Sequence, residues 1–488
     1  MVIESLKYKI LQQFGFAPTQ EQGQALDTFV SFLTDRDPQA VMILRGSAGT
    51  GKTSLSGAIV RTLLQIRQKV MLLAPTGRAA KVFSLGSGAP AYTIHRRIYR
   101  EKAFAGVDGQ FSLNDNLYTD TLFMVDEASM IANMGLGGTT FGSGCLLDDL
   151  VKFVYQGHND RLLLIGDKAQ LPPVGEEESP ALRASVMEGY GLKVYECDLN
   201  EVLRQSQSSG ILYNATLIRQ MITHDAVTGL PLIRFKGFAD IVMMPGAELV
   251  ESLGDSYHHV GMDETMVITR SNKRANIYNN GIRNMVLDRE EELSSGDMLM
   301  IVKNNYFWTE KEKKESGEGS AGAVPAFLAN GDRAKVLRVS NYIELYGFRF
   351  ATLLLQLPDY DDYEMQVTGM LDTLQSEAPA LTHEQQEELF RQVEEDYQHF
   401  VPLKADRMKS IRQDAYFNAL QIKYAYAVTC HKAQGGQWAH VYVDQGYMTD
   451  DMLTPDYIHW LYTAFTRATD KLFLVNWPKE QTCEPTDL

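Results

Sequence analysis

Short apolar runs alternate with helix-like stretches through the first half of the chain. Four of these runs are bounded by turn residues or glycines, at residues 40–44, 70–74, 121–125 and 162–165. Apolar runs that are separated by helical patterns are typical of parallel strands covered by helices on both faces. The pattern therefore predicts a parallel α/β sheet in the first half of the chain.

The second half repeats this rhythm after two interruptions. Apolar runs at residues 266–269, 439–443 and 472–475 again alternate with helical patterns, which predicts a second α/β unit. At about residues 100–116 the glycines suggest an inserted β-hairpin. Across roughly 295–415 the pattern changes for long enough to hold an inserted subdomain. Within it, Thr382 and Gln385 form a capping-box signature for an acidic helix.

The composition is that of an ordinary globular protein. The 488 residues are 44% hydrophobic and 22% charged, which excludes collagen-like and mostly disordered classes and allows several domains. No apolar run is long enough to span a membrane, and the first residues lack a secretory apolar core. We therefore expect a cytoplasmic protein with no membrane partner. The four cysteines lie far apart, and neither a disulfide framework nor a zinc site is indicated.

The net charge of −16 argues at first sight against a nucleic-acid partner, because phosphate neutralisation needs clustered cations. Most of this excess is local. Residues 357–398 contain twelve acidic residues and one basic residue, a balance of −11, which leaves −5 for the remainder. An acidic stretch of this kind is typical of a solvated helix face, so the total charge excludes little.

A complete phosphate-binding loop follows the first apolar run. The motif Gly-Ser-Ala-Gly-Thr-Gly-Lys-Thr lies between a predicted strand and a predicted helix, which is the context that a P-loop requires. Its glycines allow backbone N–H groups to surround phosphate oxygens, and the helix N-terminus adds positive potential. We therefore expect nucleotide contacts from Gly46, Ala48, Gly49, Thr50, Gly51, Lys52, Thr53 and Ser54.

Specific roles are expected for five residues of this predicted site. Lys52 is expected to reach the β and γ oxygens of the nucleotide, and Thr53 is expected to bind Mg²⁺. Asp126 and Glu127 follow the run at 121–125, so that one carboxylate holds Mg²⁺ and its neighbour orients a water molecule. Gln170 lies in a polar turn after the run at 162–165, where its amide is expected to contact a γ-phosphate.

Four further blocks narrow the class of P-loop protein, at residues 74–81, 93–96, 428–435 and 462–468. With the P-loop, the Asp-Glu pair and the block around Gln170, their order and spacing resemble those of superfamily 1 helicases. The specific resemblance is to the B group, which contains RecD-like, Dda-like and Pif-type enzymes. It extends from residue 19 to residue 475 and is weak across the region 295–415.

The resemblance implies an α/β fold with two RecA-like P-loop domains. The first would span residues 1–205, with a hairpin inserted near 100–116; the second would span 206–294 and 416–488. Residues 295–415 would hold a small β-barrel of the Src-homology-3-like type and a helical segment, with 330–336 resembling the turn and strand that begin the barrel. The acidic helix could brace the barrel, dock a partner or be simply solvated.

In the resembling family, ATP binds between the two RecA-like domains and the second domain helps to complete the site. The matching residues are Arg467 and Arg204, whose side chains would stabilise charge on the γ-phosphate during hydrolysis. Gln22 matches the glutamine that recognises adenine. The alternative for Gln22 is a solvated residue on the first helix.

The same resemblance predicts a single-stranded DNA track across both domains. Residues matching the backbone-gripping positions are Thr76, Arg78, His95, Thr269, Asn272 and His431. Simpler structural roles stay open, because either histidine could be a satisfied core residue and Asn272 could be a helix cap. In the predicted hairpin, Phe104 or Phe111 could stack on the terminal base pair of a duplex, or one of them could pack against the domain body.

The resemblance implies an ATP- and Mg²⁺-dependent DNA helicase that moves 5′→3′ on single strands and unwinds duplex junctions. We expect a monomer that acts in replication, recombination or repair. Proteins of repair or replication are possible partners. One alternative is a RecD-like motor subunit of a multisubunit exodeoxyribonuclease. A further alternative is a P-loop switch whose ATPase only gates binding, against which Glu127, Arg204 and Arg467 argue.

Overall fold

The computed structural model describes residues 2–104, 109–135, 142–202, 208–223, 229–316, 324–325, 327–401 and 403–483. Its strands form two parallel sheets and a closed barrel, together with a hairpin and a small two-stranded pair. The expected fold class is confirmed: two α/β units, with a hairpin in the first and a barrel with helices in the second.

The first sheet has six parallel strands in the order β3-β2-β6-β7-β1-β8. Its strands are β1 (Ala40–Gly46), β2 (Lys69–Ala74), β3 (Ala91–Thr93), β6 (Thr121–Val125), β7 (Arg161–Gly166) and β8 (Lys193–Leu199). The four strands predicted from apolar runs are confirmed. The edge strands β3 and β8 were not predicted, because β3 is very short and β8 carries charged residues along its length.

Helices cover both faces of this sheet. They are α1 (Val2–Phe14), α2 (Gln20–Thr34), α3 (Lys52–Gln65), α4 (Gly77–Ser87), α5 (Ile94–Ile98), α6 (Leu146–Gln156) and α7 (Ala184–Gly189). Two apolar clusters, one on each face of the sheet, form the core of this unit. The predicted hairpin is confirmed as β4 (Tyr99–Phe104) and β5 (Gly109–Leu113), which pair antiparallel directly after α5.

The second sheet has five parallel strands in the order β10-β19-β18-β11-β17. They are β10 (Ile241–Met244), β11 (Thr265–Thr269), β17 (Ala427–Thr429), β18 (Trp438–Asp444) and β19 (Ala468–Val475). The surrounding elements are α8 (Gly210–Thr223), α9 (Leu249–His259), α10 (Asn272–Gly281), α14 (Cys430–Ala433) and α15 (Pro455–Phe465), with the short pair β9 (Ile233–Arg234) and β20 (Thr482–Cys483).

The barrel consists of β12 (Met298–Ile301), β13 (Arg333–Leu345), β14 (Phe348–Leu357), β15 (Tyr363–Met370) and β16 (Leu420–Tyr424). It differs from the expectation at both ends. Its first strand is β12 and not the strand at 330–336, which is the start of β13. Its last strand lies beyond residue 415, because β16 pairs with both β12 and β15 and thereby closes the barrel.

The acidic segment forms a helix that braces the barrel. The helices of the insertion are α11 (Phe307–Ser316), α12 (His383–Gln398) and α13 (Lys404–Arg412), and α12 begins with the predicted capping box. Leu389 and Val393 of α12 are buried in a cluster with Phe348 and Phe350 of β14. The carboxylates of Glu384, Glu387, Glu395 and Asp396 are exposed, whereas Glu394 pairs with Arg407 of α13. In the described part of the chain, no helix is both long and apolar enough to cross a membrane.

Candidate nucleotide site between two domains

The P-loop connects β1 to α3 through a tight backbone turn. Gly49 and Gly51 have φ angles of 77° and 81°, in the left-handed region that favours glycine. The hydroxyl of Thr50 donates to Ser47 O at 2.8 Å and closes the turn. The helix then begins at Lys52, with Thr53 and Ser54 exposed in its first turn. Free N–H groups at such a helix start favour an anion.

Lys52 lies folded back over the P-loop. Its ammonium group donates to the carbonyl oxygens of Gly46 and, at 3.3 Å, of Ser47. Gly46 has no room for a side chain, because an added Cβ atom would lie 2.7 Å from Cγ of Lys52. The glycine therefore allows the lysine stem to cross the loop close to the backbone.

Gln22 supports the P-loop from behind. Its Nε2 atom donates to Thr50 O at 2.9 Å, and its Oε1 atom accepts from the backbone N–H of Thr19 at 3.0 Å. The side chain is only 1% exposed. The alternative of a solvated glutamine is therefore wrong, because this amide is buried between α2 and the loop. Its contact with adenine stays a prediction.

Asp126 and Glu127 follow the end of β6. Glu127 has a left-handed backbone with φ of 52°, and its N–H donates to Oδ1 of Asp126 at 2.9 Å. Burial, followed by the adjacent charge of Glu127, raises the pKa of Asp126 to about 7, against a smaller opposing effect of Lys52. Two carboxylates held together in this way favour a bound cation, which would stabilise their ionised forms.

Gln170 joins the acidic pair to the second domain. With its amide oriented to suit both neighbours, Nε2 donates to Oε2 of Glu127 at 3.2 Å and Oε1 accepts from Nη2 of Arg467 at 3.1 Å. Gln170 and Arg467 are 6% and 3% exposed. The sequence-predicted residues Glu127, Gln170 and Arg467 thus meet in one hydrogen-bonded group, in which Gln170 and Arg467 are buried and Glu127 is half-buried.

Arg467 is fixed just after the end of α15. Its Nε atom donates to Thr463 O at 3.1 Å, and its Nη1 atom donates to Gly436 O at 3.2 Å. The guanidinium is therefore oriented before any ligand contact. Arg204, the other arginine expected at the γ-phosphate, lies outside the described residues.

Several residues that join the two domains were missed by sequence reasoning. In the second unit, Thr463 Oγ1 accepts from the N–H of Leu171 at 2.8 Å, and Gln434 Nε2 donates to Leu171 O at 2.7 Å. On α8, Arg219 Nη1 donates to Oγ of Ser47 in the P-loop at 2.6 Å. Thr463 and Gln434 lie within motif blocks and offered a signal, whereas nothing in the pattern distinguished Arg219.

The residues expected on the DNA track are used in different ways. Thr76 caps α4, since its Oγ1 atom accepts from the N–H of Ala79 at 3.2 Å. Arg78 points to the second domain, where it donates to Gln437 O and lies 4.4 Å from the centroid of the Trp438 ring. Burial lowers the pKa of Arg78 to about 10. Arg78 is therefore a contact between the two units, and its expected contact with DNA stays a prediction.

The expected contact of Thr269 with DNA is not supported by its position in the structure. It is 0% exposed, and its hydroxyl donates to Ser271 O at 3.1 Å, so it shapes the end of β11 and does not reach a ligand surface. Asn272 is the first residue of α10, and the cap is its neighbour Ser271, whose side chain accepts from Arg274 N. Asn272 is half-buried.

The two histidines differ in environment. His95 is half-buried beside Tyr99, with ring centroids 5.7 Å apart, and burial lowers its pKa to about 4. It is therefore neutral near pH 7. His431 is exposed on α14 and is accessible to a ligand.

The hairpin aromatic Phe111 packs on the barrel insertion. Its ring centroid lies 4.8 Å from that of Tyr306, which stacks on Phe327 at 4.7 Å. Phe111 also adjoins the apolar core of the first unit. Phe111 therefore shows the alternative in which one of the two hairpin aromatics packs against the protein. The side chain of Phe104 lies outside the described residues.

Two known families match the chain. Residues 17–228 match the AAA domain family, and residues 424–475 match the UvrD-like helicase C-terminal domain. The first match contains the P-loop, the Asp-Glu pair and Gln170. The second contains Gln434, Thr463 and Arg467. The first match therefore contains Glu127 and Gln170, and the second contains Arg467, which Gln170 contacts.

Named relatives resemble parts of the chain. The ATP-dependent RecD2 DNA helicase of Deinococcus radiodurans is 30% identical over 32% of this chain, and the ATP-dependent DNA helicase dda of Enterobacteria phage T4 is 25% identical over 53%. The chain covers 18% and 55% of the lengths of these two relatives. A crystal structure of Pif1 helicase from Bacteroides, in complex with ADP-AlF3 and ssDNA, aligns over 96% of this chain and 95% of its own, with 13% identity and a TM-score of 0.46.

Proposed function

We propose that this chain, a member of the B group of superfamily 1 helicases, hydrolyses ATP to move 5′→3′ along single-stranded DNA and to separate duplex strands. Its two α/β units are the motor domains of this proposal. The polarity is an expectation from the family. The natural process is replication, recombination or repair of DNA.

The bridge from Glu127 through Gln170 to Arg467 is the observation that carries this proposal. Glu127 and Gln170 belong to the first unit and Arg467 to the second, so the hydrolytic residues act together only when the units are in contact. In phosphoryl transfer, catalysis consists mainly of positioning and charge stabilisation. A site divided between two domains therefore couples hydrolysis to their relative movement.

The residues of the P-loop fit ATP with Mg²⁺. The loop amides and Lys52 would hold the phosphates, while Thr53 and Asp126 would hold the cation, which neutralises charge on the phosphate oxygens. The adjacent, half-buried carboxylates of Asp126 and Glu127 suit this assignment, because burial and then the charge of Glu127 raise the pKa of Asp126, and a bound cation would offset both effects. Glu127 would orient the attacking water, and Gln170 with Arg467 would contact the γ-phosphate.

The proposed DNA path uses polar residues of the expected track that are exposed or half-buried in the structure. These are Thr76 and His95 on the first unit, and Asn272 and His431 on the second. Uncharged donors of this kind bind a phosphate backbone without reading bases. Lys273 is exposed beside Asn272 and adds positive charge. Single-stranded DNA and duplex junctions are therefore the proposed partners.

The test is ATP hydrolysis with and without single-stranded DNA. We expect strong stimulation of the wild-type chain and loss of turnover in Lys52→Ala. Lys152→Ala is the matched control, because Lys152 is exposed on α6 and forms an ion pair with Asp148 of the same helix. An ATP hydrolysis rate that is unchanged by single-stranded DNA would contradict the motor proposal and favour a P-loop switch. Stimulated hydrolysis without strand separation would favour a motor subunit that needs a nuclease partner.

A further inference from the structure

Tyr462 of the second unit contacts two phosphate-site segments of the first unit. It lies near the end of α15 and is 1% exposed. Its hydroxyl accepts from the backbone N–H of Ala48 in the P-loop at 3.0 Å and donates to Oδ2 of Asp167 at 2.6 Å. One side chain thus connects the P-loop with the turn that follows β7.

Asp167 extends this connection to Gln170. Its Oδ1 atom accepts from the N–H of Ala169 at 3.0 Å, and its carbonyl accepts from the N–H of Gln170 at 3.2 Å. These bonds define the turn from which the Gln170 side chain reaches Glu127 and Arg467. The hydrogen-bonded path therefore starts at the P-loop and ends at Arg467, on the same short segment as Tyr462.

The buried hydroxyl of Tyr462 is held in its protonated form. Burial, with the charge of Asp167 and the bond to it, raises the pKa of Tyr462 well above its ordinary value, so the hydroxyl stays protonated. Asp167 is 2% exposed. Without the hydroxyl, a buried carboxylate would lose a donor and a P-loop amide would lose its acceptor.

We propose that Tyr462 is a positioning residue that sets the second unit against the P-loop, so that Gln170 and Arg467 are aligned for hydrolysis. This inference rests on the proposed ATPase function. Tyr462 acts through the loop, the turn and Arg467. Lys52 keeps its contacts with Gly46 and Ser47 without it, and Gln22 still supports the loop at Thr50.

The test compares Tyr462→Phe with Tyr442→Phe. Tyr442 is a matched control, because it is 0% exposed and its hydroxyl bonds to Ser252 and Ser256 of the second unit, each at 2.7 Å. Tyr462→Phe should lower kcat for ATP about 10- to 100-fold, with KM changed less than about threefold. Both variants should have a similar Tm, since each loses one buried hydroxyl.

A second readout does not depend on turnover. Amide hydrogen exchange at Ala48 and Leu171 should be faster in Tyr462→Phe than in the wild-type chain, and unchanged in Tyr442→Phe. If the wild-type chain failed to hydrolyse ATP, the proposed function would fail while this exchange comparison still tested the contact. The inference is overturned if kcat and amide exchange in Tyr462→Phe equal those of the control, or if both variants lose activity and Tm together.

Discussion

Glu127 has an unusual backbone for a glutamate. Its backbone is left-handed, with φ of 52°, two residues after the buried strand β6, and such a conformation in a non-glycine residue costs on the order of 1–3 kcal/mol. The turn directs the carboxylate toward Gln170. This unfavourable backbone conformation thus occurs at the residue whose carboxylate the proposed chemistry needs in a fixed position.

Replacing Glu127 by Gln should separate ATP binding from hydrolysis. The change keeps the size of the side chain and its hydrogen bond to Gln170, but removes the group that accepts a proton from water. We expect ATP binding to be retained and turnover to fall about 10²- to 10⁴-fold. Nucleotide titration and steady-state hydrolysis measure the two effects. Full turnover would show that Glu127 does not act as the base.

Asp332, at the start of β13, should make stability depend on pH. Burial raises its pKa from 3.8 to about 7, against weaker opposing bonds from Tyr360 and the N–H of Ala329. The unfolded chain releases this proton near pH 4 and the folded chain near pH 7. The group therefore stabilises the fold fully below pH 4, and this contribution is lost as pH rises through about 7.

The corresponding variant is Asp332→Asn. The free energy of unfolding of the wild type, relative to this variant, should fall by about 2–3 kcal/mol between pH 5 and pH 8. Denaturant unfolding at several pH values measures this difference. Asp361→Asn is the control, because Asp361 is exposed and its left-handed backbone accepts asparagine. Parallel pH curves for the wild type and Asp332→Asn would contradict the assignment.

The residue types and their spacing predicted many residues of the proposed ATPase site and DNA track. They did not predict which of these side chains are exposed. The P-loop, Glu127 and Gln170 were predicted from the chemistry of phosphate sites, whereas Arg467 was predicted from the resemblance to the helicase family, and the roles of these residues stay predictions. Thr269 and Arg78 have equally suitable types, yet one is fully buried and the other reaches the opposite domain. Exposure depends on contacts between distant segments, which spacing alone does not contain.

At the scale of elements, apolar patterns predicted the central strands and missed the closing strand of the barrel. The strand β16 reads Leu-Gln-Ile-Lys-Tyr, which looks half-polar, although all of it is buried. Gln421 accepts from the N–H of Leu381 at 3.0 Å, and Lys423 donates to Ser376 O. These tertiary partners allow polar residues in the interior, and they come from segments distant in sequence.

The hairpin should contribute to strand separation and not to hydrolysis. We expect replacement of both Phe104 and Phe111 by Ala to lower duplex unwinding, because stacking on a terminal base pair would be lost. Single-strand-stimulated ATP hydrolysis should stay within about twofold. Since Phe111 packs on Tyr306, Phe111→Ala alone reports on the support of the hairpin from the barrel. Unchanged unwinding by the double variant would exclude both aromatics as the wedge.

At the scale of the whole molecule, the two α/β units meet through residues of the proposed ATPase site. Tyr462, Thr463 and Arg467 all reach the first unit from one segment at the end of α15. The barrel inserted in the second unit touches the first through the Tyr360 hydroxyl and Asp332 beside Gly77, and through Tyr306 beside Phe111. The second unit therefore contacts the first both at the proposed nucleotide site and at the hairpin.

The most direct test of this account is strand displacement with ATP on duplexes that carry only a 5′ tail or only a 3′ tail. Glu127→Gln is the control for dependence on hydrolysis. We expect displacement from the 5′-tailed duplex alone, and none by the variant. Displacement from the 3′-tailed duplex, or none from either duplex while single-stranded DNA still stimulates ATP hydrolysis, would contradict the proposal of a self-sufficient 5′→3′ helicase.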